Sequence, residues 1–221
     1  LQYVSATAAG RHALLRTGAV AFALSALAAA ALAQVATPTV QMQTHSAPIL
    51  EPQYVVETRT VWEGRDVDGD GASDFVNPTG EAPRAHDTYG EGQFGASRDG
   101  GSRDHEGVDY RGAAGSVAIA PISGMVTGIG QAYGDTPNLK YVEITNAALG
   151  FEARVFYVNP DVAIGDPIKI GAPLGKIADL SRRYPGGMTN HVHLELKDPS
   201  GRRIDATRVI TARRETVRVP V

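Results

Sequence analysis

Gly124-Met125-Val126-Thr127-Gly128-Ile129, Tyr141-Val142-Glu143-Ile144-Thr145 and Ala153-Arg154-Val155-Phe156-Tyr157-Val158 are the runs that decide the fold. Each is short and rich in β-branched and aromatic residues, and each is followed by glycine or asparagine. That pattern reads as strands joined by tight turns. Working outward, 117–120 is a further short strand on the N-terminal side. On the C-terminal side, Gly165-Asp166-Pro167 and Gly171-Ala172-Pro173 punctuate two more runs, 168–170 and 174–177. Pro185-Gly186-Gly187 turns the chain into a strand over 191–197. No helical pattern of useful length follows residue 33. The class is all-β: an antiparallel sheet or sandwich with long loops, preceded by a signal peptide and a linker.

The chain has 221 residues, enough for one domain with extra segments. Its net charge of −3, with mixed signs along the chain, argues against a nucleic-acid footprint, which would show clustered Lys and Arg. With no cysteine there is no disulfide framework, so a metal would have to be held by nitrogen and oxygen ligands. Arg11, His12 and Arg16 lead into an alanine-rich apolar run over 17–33 that closes on Ala31-Leu32-Ala33. This is the form of a cleaved signal peptide, and it points to a periplasmic or secreted protein that meets the membrane only through that segment. The reading therefore divides the chain into a signal peptide (1–33), a linker (34–52), a strand with an Asp-rich loop (53–85), the main domain (86–210) and a C-terminal tail (211–221).

Residues 54–62 alternate as a strand should, with Val56, Thr58, Thr60 and Trp62 on one face. Asp66-Val67-Asp68-Gly69-Asp70-Gly71-Ala72-Ser73-Asp74 follows. Asp66, Asp68, Asp70 and Asp74 occupy positions 1, 3, 5 and 9 of a calcium loop, with glycine at position 6. Asn77 stands where a bidentate Glu usually closes such a loop, and no amphipathic helix flanks it. The expectation is a structural calcium turn rather than a sensor. His45, in the linker, and His86, in the loop-like stretch before residue 104, have no partners at useful spacing.

Two motifs carry the chemistry: His105-Glu106-Gly107-Val108-Asp109 and His191-Val192-His193. Imidazole and carboxylate are zinc ligands. On extended chain, residues two or four apart share a face, so His105 pairs with Asp109 and His191 with His193. Gly107 disfavours a helix, at a cost of about 1 kcal/mol relative to Ala. Two such strands meeting edge to edge would form a zinc site on a sheet. A catalytic zinc keeps three protein ligands, so four candidates leave one group free as a general base or a transition-state stabiliser. Glu195 shares the strand face of the two histidines and could orient a ligand.

These motifs, with Gly165-Asp166-Pro167-Ile168-Lys169-Ile170-Gly171, Leu174-Gly175 and the continuation Leu194-Glu195-Leu196, resemble those of the lysostaphin/LytM-type zinc endopeptidases over about half of the chain. The resemblance implies a zinc metallopeptidase that acts on peptide cross-links of cell-wall peptidoglycan. It implies His105, Asp109 and His193 as zinc ligands and His191 as the base. The family has a further histidine in a Tyr-x-His segment. Here Tyr157-Val158-Asn159 puts Asn159 in that place, as the expected donor to a developing oxyanion. Phe156-Tyr157-x-x-Pro160 and Tyr184-Pro185-Gly186 are also similar to the leukocyte-derived chemotaxin branch. That branch implies the alternative, a zinc-binding module that holds cell-wall peptide or a protein partner without cutting it.

Overall fold

Val142 and Ile144, Ala153 and Val155, and Val192, Leu194 and Leu196 are fully buried, each two residues from the next on its own strand. This alternation turns one face of an antiparallel sheet into the core, where each valine, leucine and isoleucine side chain contributes about 1.5–3 kcal/mol. The computed structural model describes residues 52–221. The signal segment, the linker up to residue 51 and His45 lie outside them.

In chain order the strands begin with β1 (Tyr54–Gly64) and four two-residue pieces, β2 (His86–Asp87), β3 (Gly90–Glu91), β4 (Ser97–Arg98) and β5 (Arg103–Asp104). Next come β6 (Val108–Arg111), β7 (Val117–Ile119), β8 (Gly124–Gln131), β9 (Lys140–Asn146), β10 (Phe151–Phe156) and β11 (Val158–Pro160). The last are β12 (Pro167–Ile168), β13 (Pro173–Ile177), β14 (His191–Lys197), β15 (Arg203–Ile204) and β16 (Ile210–Pro220). The all-β class holds. Among the described residues the helical segments are two three-residue 3-10 turns, and no helix is long and apolar enough to cross a membrane.

The main sheet runs β12-β8-β9-β10-β14-β15, and β6 also pairs with β14. β14 therefore has β10 on one side and, on the other, β6 along its first half and β15 along its second. Six of its seven residues are buried, since both faces are covered. Val192, Leu194 and Leu196 face the core; His191, His193 and Glu195 face the other way. A second sheet, β11-β13-β7, lies apart from this path, and β1 pairs with β16 as a separate ribbon.

Two departures from the sequence reading concern the strands around Tyr157 and at the C-terminal end of the described chain. The run 153–158 is not one strand: Tyr157 sits in the left-handed region at φ 66° and separates β10 from β11. A non-glycine residue in this region costs about 1–3 kcal/mol and persists only when its surroundings hold it there. Here its N–H donates to the Lys140 carbonyl (2.7 Å) and its carbonyl accepts from the Ala178 N–H (2.7 Å). The second departure is at 211–221, read as a tail, where residues through Pro220 form β16, paired with β1 from Tyr54↔Pro220 to Gly64↔Ile210. The partner strand lies some 150 residues earlier, too far for local pattern to reveal. Trp62 anchors the base of the ribbon: its Nε1–H donates to the Gly80 carbonyl (2.8 Å), and its ring meets Tyr110 edge to face.

Candidate metal centre

The β6–β14 register sets His193 directly opposite Asp109, and His191 opposite Arg111. Cross-strand neighbours on one face lie about 5 Å apart at Cβ, which brings the imidazole to the carboxylate. His105 arrives differently from the strand-parity expectation. It lies in the bend before β6, and the chain turns at Gly107 to bring it back over the sheet. A Cβ at Gly107 would lie 2.4 Å from the Leu194 carbonyl oxygen and 2.7 Å from His193 Cε1, so only glycine fits against the His193 ring.

The convergence is tight. His105 Nε2 is 2.9 Å from His193 Nδ1 and 3.2 Å from Asp109 Oδ1, and His193 Nδ1 is 2.8 Å from the same oxygen. His191 Nε2 lies 3.5 Å from it. All four residues are at most 9% exposed.

The far side of each ring is tied down. His105 Nδ1 lies 2.8 Å from the Gln93 carbonyl and His191 Nδ1 2.7 Å from the Thr189 carbonyl. Carbonyls only accept, so those nitrogens carry the proton and each Nε2 faces inward as a bare acceptor when the ring is neutral. His193 Nε2 turns to Glu195 Oε1 (3.4 Å), and Arg203 Nε holds Glu195 Oε2 (3.3 Å). Asp109 Oδ2 is engaged by buried Arg84 through Nε and Nη2, both at 2.9 Å, which leaves Oδ1 for the centre. Arg84 in turn pairs with Asp87 (3.0 Å).

The inward nitrogens of three imidazoles and a carboxylate oxygen thus point at one place. A single shared proton relieves this only in part, while a divalent cation engages several at once. The donor set of nitrogen and carboxylate oxygen, each with an anchored outer partner, fits zinc. The ionisation of the groups agrees. Burial opposes the charge on Asp109, but hydrogen bonding with His105 and His193 holds its carboxyl well below the usual range. Burial pushes the His191 imidazole down, toward neutrality. Burial also disfavours charge on His193, but Asp109 and Glu195 on its two sides raise it overall.

The centre forms the floor of a cavity of about 420 Å³. Its walls include Arg84, Arg98, Tyr89, Tyr133, Tyr157 and Tyr184. The sequence motifs gave none of these a role, although Tyr157 and Tyr184 stand within two of them. Arg84 belongs to no motif, and the tyrosines are brought together only by tertiary structure.

Asn159 does not reach the cavity. It is exposed on β11, paired with Lys176. The left-handed turn at Tyr157 sends β11 into the second sheet, so Tyr157, rather than the residue two further on, faces the histidines. Its ring meets that of His191 edge on, with centroids 5.3 Å apart. His86 is exposed and paired with Glu91 (3.2 Å), and it does not line the cavity.

The Asp-rich turn is built mainly from its own hydrogen bonds. Asp66 accepts from the Gly69 (2.6 Å) and Gly71 (2.9 Å) N–H groups, Asp68 from Asp70, Asp70 from Ala72, and Asp74 from Val67. The bonds from Gly71 and Gly69 hold the Asp66 carboxyl below its ordinary value. Asp66, Asp68 and Asp74 bring one oxygen each within reach of a common point, and Asp70 is not among them. Asn77 is buried and bonded to its own turn at Thr79, Gly80 and Glu81, so it does not close the loop.

Myeloid protein 1 of Gallus gallus is 33% identical over 131 residues, which are 56% of this chain and 37% of that protein; the chain thus spans little more than a third of this curated relative. Among solved structures, the NMR solution structure of lysostaphin covers 52% of this chain and 46% of its own, at 16% identity and a TM-score of 0.42. A zinc containing peptidase from Vibrio cholerae covers 58% and 37%, at 20% identity and a TM-score of 0.42. Csd3 of Helicobacter pylori, in its hexagonal crystal, covers 65% and 34%, at 20% identity and a TM-score of 0.45. The family described as "Domain of unknown function (DUF8155) N-terminal domain" matches residues 100–212, slightly more than half of the sequence and the stretch that carries His105, Asp109, His191 and His193, and the chain belongs to that family.

Proposed function

We propose that His105, Asp109 and His193 bind one zinc ion, and that the domain is a hydrolase cutting peptide cross-links of bacterial peptidoglycan. The observation that carries the metal is the meeting of three anchored ligand atoms within 3.2 Å of one another in a buried site. The peptide substrate and its cell-wall source rest on the motif set shared with the lysostaphin/LytM-type endopeptidases. A periplasmic or secreted location, reached through the 1–33 signal segment, belongs to the same reading. A calcium ion in the 66–74 turn, structural in role, is its second cation, supported by the loop pattern and by the approach of Asp66, Asp68 and Asp74.

Zinc bound at such a site polarises a carbonyl and makes a water acidic near neutral pH. The chain's own residues supply the rest. His191, kept neutral by burial and oriented by Thr189, presents Nε2 to take up a proton and return it to the leaving amine. Arg84 fixes Asp109, and Glu195 fixes His193. A zinc-stabilised module that binds a peptide or protein partner without cutting it is the second reading. It is favoured by the place of Asn159, which leaves no side chain of that segment's third position at the site.

One zinc per chain is expected by metal analysis, lost in His105→Ala and retained in His191→Ala. Purified peptidoglycan should release peptides with the native protein and not with His191→Ala. Release of no peptide by zinc-loaded native protein would leave the binding module as the function.

A further inference from the structure

Tyr133, Tyr157 and Tyr184 come from three separate segments, and their hydroxyls meet at the wall of the cavity. Tyr184 donates to the Tyr133 oxygen at 2.7 Å, and Tyr133 and Tyr157 share a bond of 2.5 Å. Arg183 lies over the Tyr133 ring, its guanidinium carbon 4.0 Å from the centroid. A cation on the ring face withdraws charge and strengthens that phenol as a donor. The bond between Tyr133 and Tyr157 can be donated from either side; donated by Tyr133, as Arg183 favours, it makes a chain that runs Tyr184 to Tyr133 to Tyr157. Three hydroxyls carry three hydrogens, and two bonds use two of them. In that arrangement the hydrogen left over is that of Tyr157, whose ring lies against His191 with its centroid 6.5 Å from that of His193.

Two further observations point the same way. Tyr157 holds a left-handed backbone that a tyrosine adopts only under constraint, and both its peptide groups are tied to supply that constraint. Its side chain is also almost wholly buried, so the spare O–H has little access to bulk water. A buried donor without an acceptor is costly. Tyr157 lines the cavity beside the histidines.

We propose that Tyr157, supported by Tyr133 and Tyr184, is the hydrogen-bond donor to the carbonyl or oxyanion of a ligand held at the metal centre. This assignment rests on the zinc reading above and deepens it: in this chain a phenol, delivered by a strained turn, serves in place of the side chain at position 159. A chain of hydroxyls polarises its terminal donor, so the two supporting tyrosines act through Tyr157 as positioning residues.

The test compares the zinc-loaded native protein with Tyr157→Phe, which removes the O–H and keeps the ring. Acetohydroxamate serves as an anionic, zinc-seeking probe, and its affinity is read by calorimetry. Tyr157→Phe should keep one zinc per chain and weaken acetohydroxamate about ten- to a hundredfold, the range for one hydrogen bond to a charged acceptor. Tyr133→Phe, which leaves Tyr157 in place, should weaken it by a smaller factor. On peptide substrate, Tyr157→Phe should lower kcat by about 10²–10³ with KM little changed. Equal acetohydroxamate affinity in the native protein and in Tyr157→Phe, with zinc retained in both, overturns the proposal. A native protein that cuts no peptide, yet loses acetohydroxamate affinity in Tyr157→Phe, removes hydrolysis from the function and keeps the donor assignment.

Discussion

Asp109 shows how much one side chain is asked to do. One oxygen faces three imidazoles, and the other accepts from a guanidinium that is itself 3% exposed. Removing Arg84 would leave Asp109 and Asp87 buried near each other without their shared counter-charge. Breaking one partner of a buried pair costs about 3–5 kcal/mol. Arg84→Met should therefore lower stability by that order in denaturant melts of the zinc-free protein, and a loss below about 1 kcal/mol would mean that water replaces the guanidinium. The sequence could not single out Arg84, because an arginine in a loop carries no spacing signal and its partner lies 25 residues on. His105, Asp109, His191 and His193 were legible because ligand chemistry restricts both residue type and spacing. Asn159 was legible as a departure from the family pattern, but its location was not. A change of strand direction at one left-handed tyrosine is invisible to a reading by alternation.

At the level of elements, the bend ahead of β6 and strand β14 cannot be exchanged for generic equivalents. Gly107 lets the His105 segment pass against the His193 ring, where the nearest atoms are a backbone oxygen and the ring itself. Gly107→Ala should displace that ring, with zinc content falling well below one per chain while the far-ultraviolet spectrum stays that of a β protein. Full zinc occupancy would show that the bend can move aside. The 66–74 turn makes a contrasting element, since its carboxylates already accept backbone N–H groups. Calcium is expected to raise the melting temperature, and Asp68→Ala to remove the response. A melting temperature indifferent to calcium would assign the turn to its own hydrogen bonds. Most strands were readable from alternation, because β8, β9 and β10 each bury one face. β16 was not, because its residues are largely exposed and only its distant partner makes it a strand.

For the molecule as a whole, metal binding and folding are one equilibrium, since the ligands come from segments that meet only in the folded sheet. Zinc at a hundred times its dissociation constant should add about 2.7 kcal/mol to stability. The same equilibrium sets the pH dependence. Asp109 and Glu195 raise the affinity of His193 for a proton above the ordinary imidazole value of 6.5, so the metal has to displace that proton. Zinc affinity should thus rise with pH from below 6.5 through that raised value, and the rise in melting temperature given by zinc should shrink on acidification. A zinc effect that stays flat across this range would place the metal elsewhere. The β1–β16 ribbon has a mechanical consequence. Gln53 and Val221 meet at one end of it, joined by a 2.9 Å hydrogen bond, while Gly64 and Ile210 lie at the other. Tension applied between residues 53 and 221 would peel the two strands apart one rung at a time, like a zipper. The load would reach the sheet bearing the histidines only after the last rung had opened, so the ribbon is a sacrificial fastening that spares the centre from a pull on its ends.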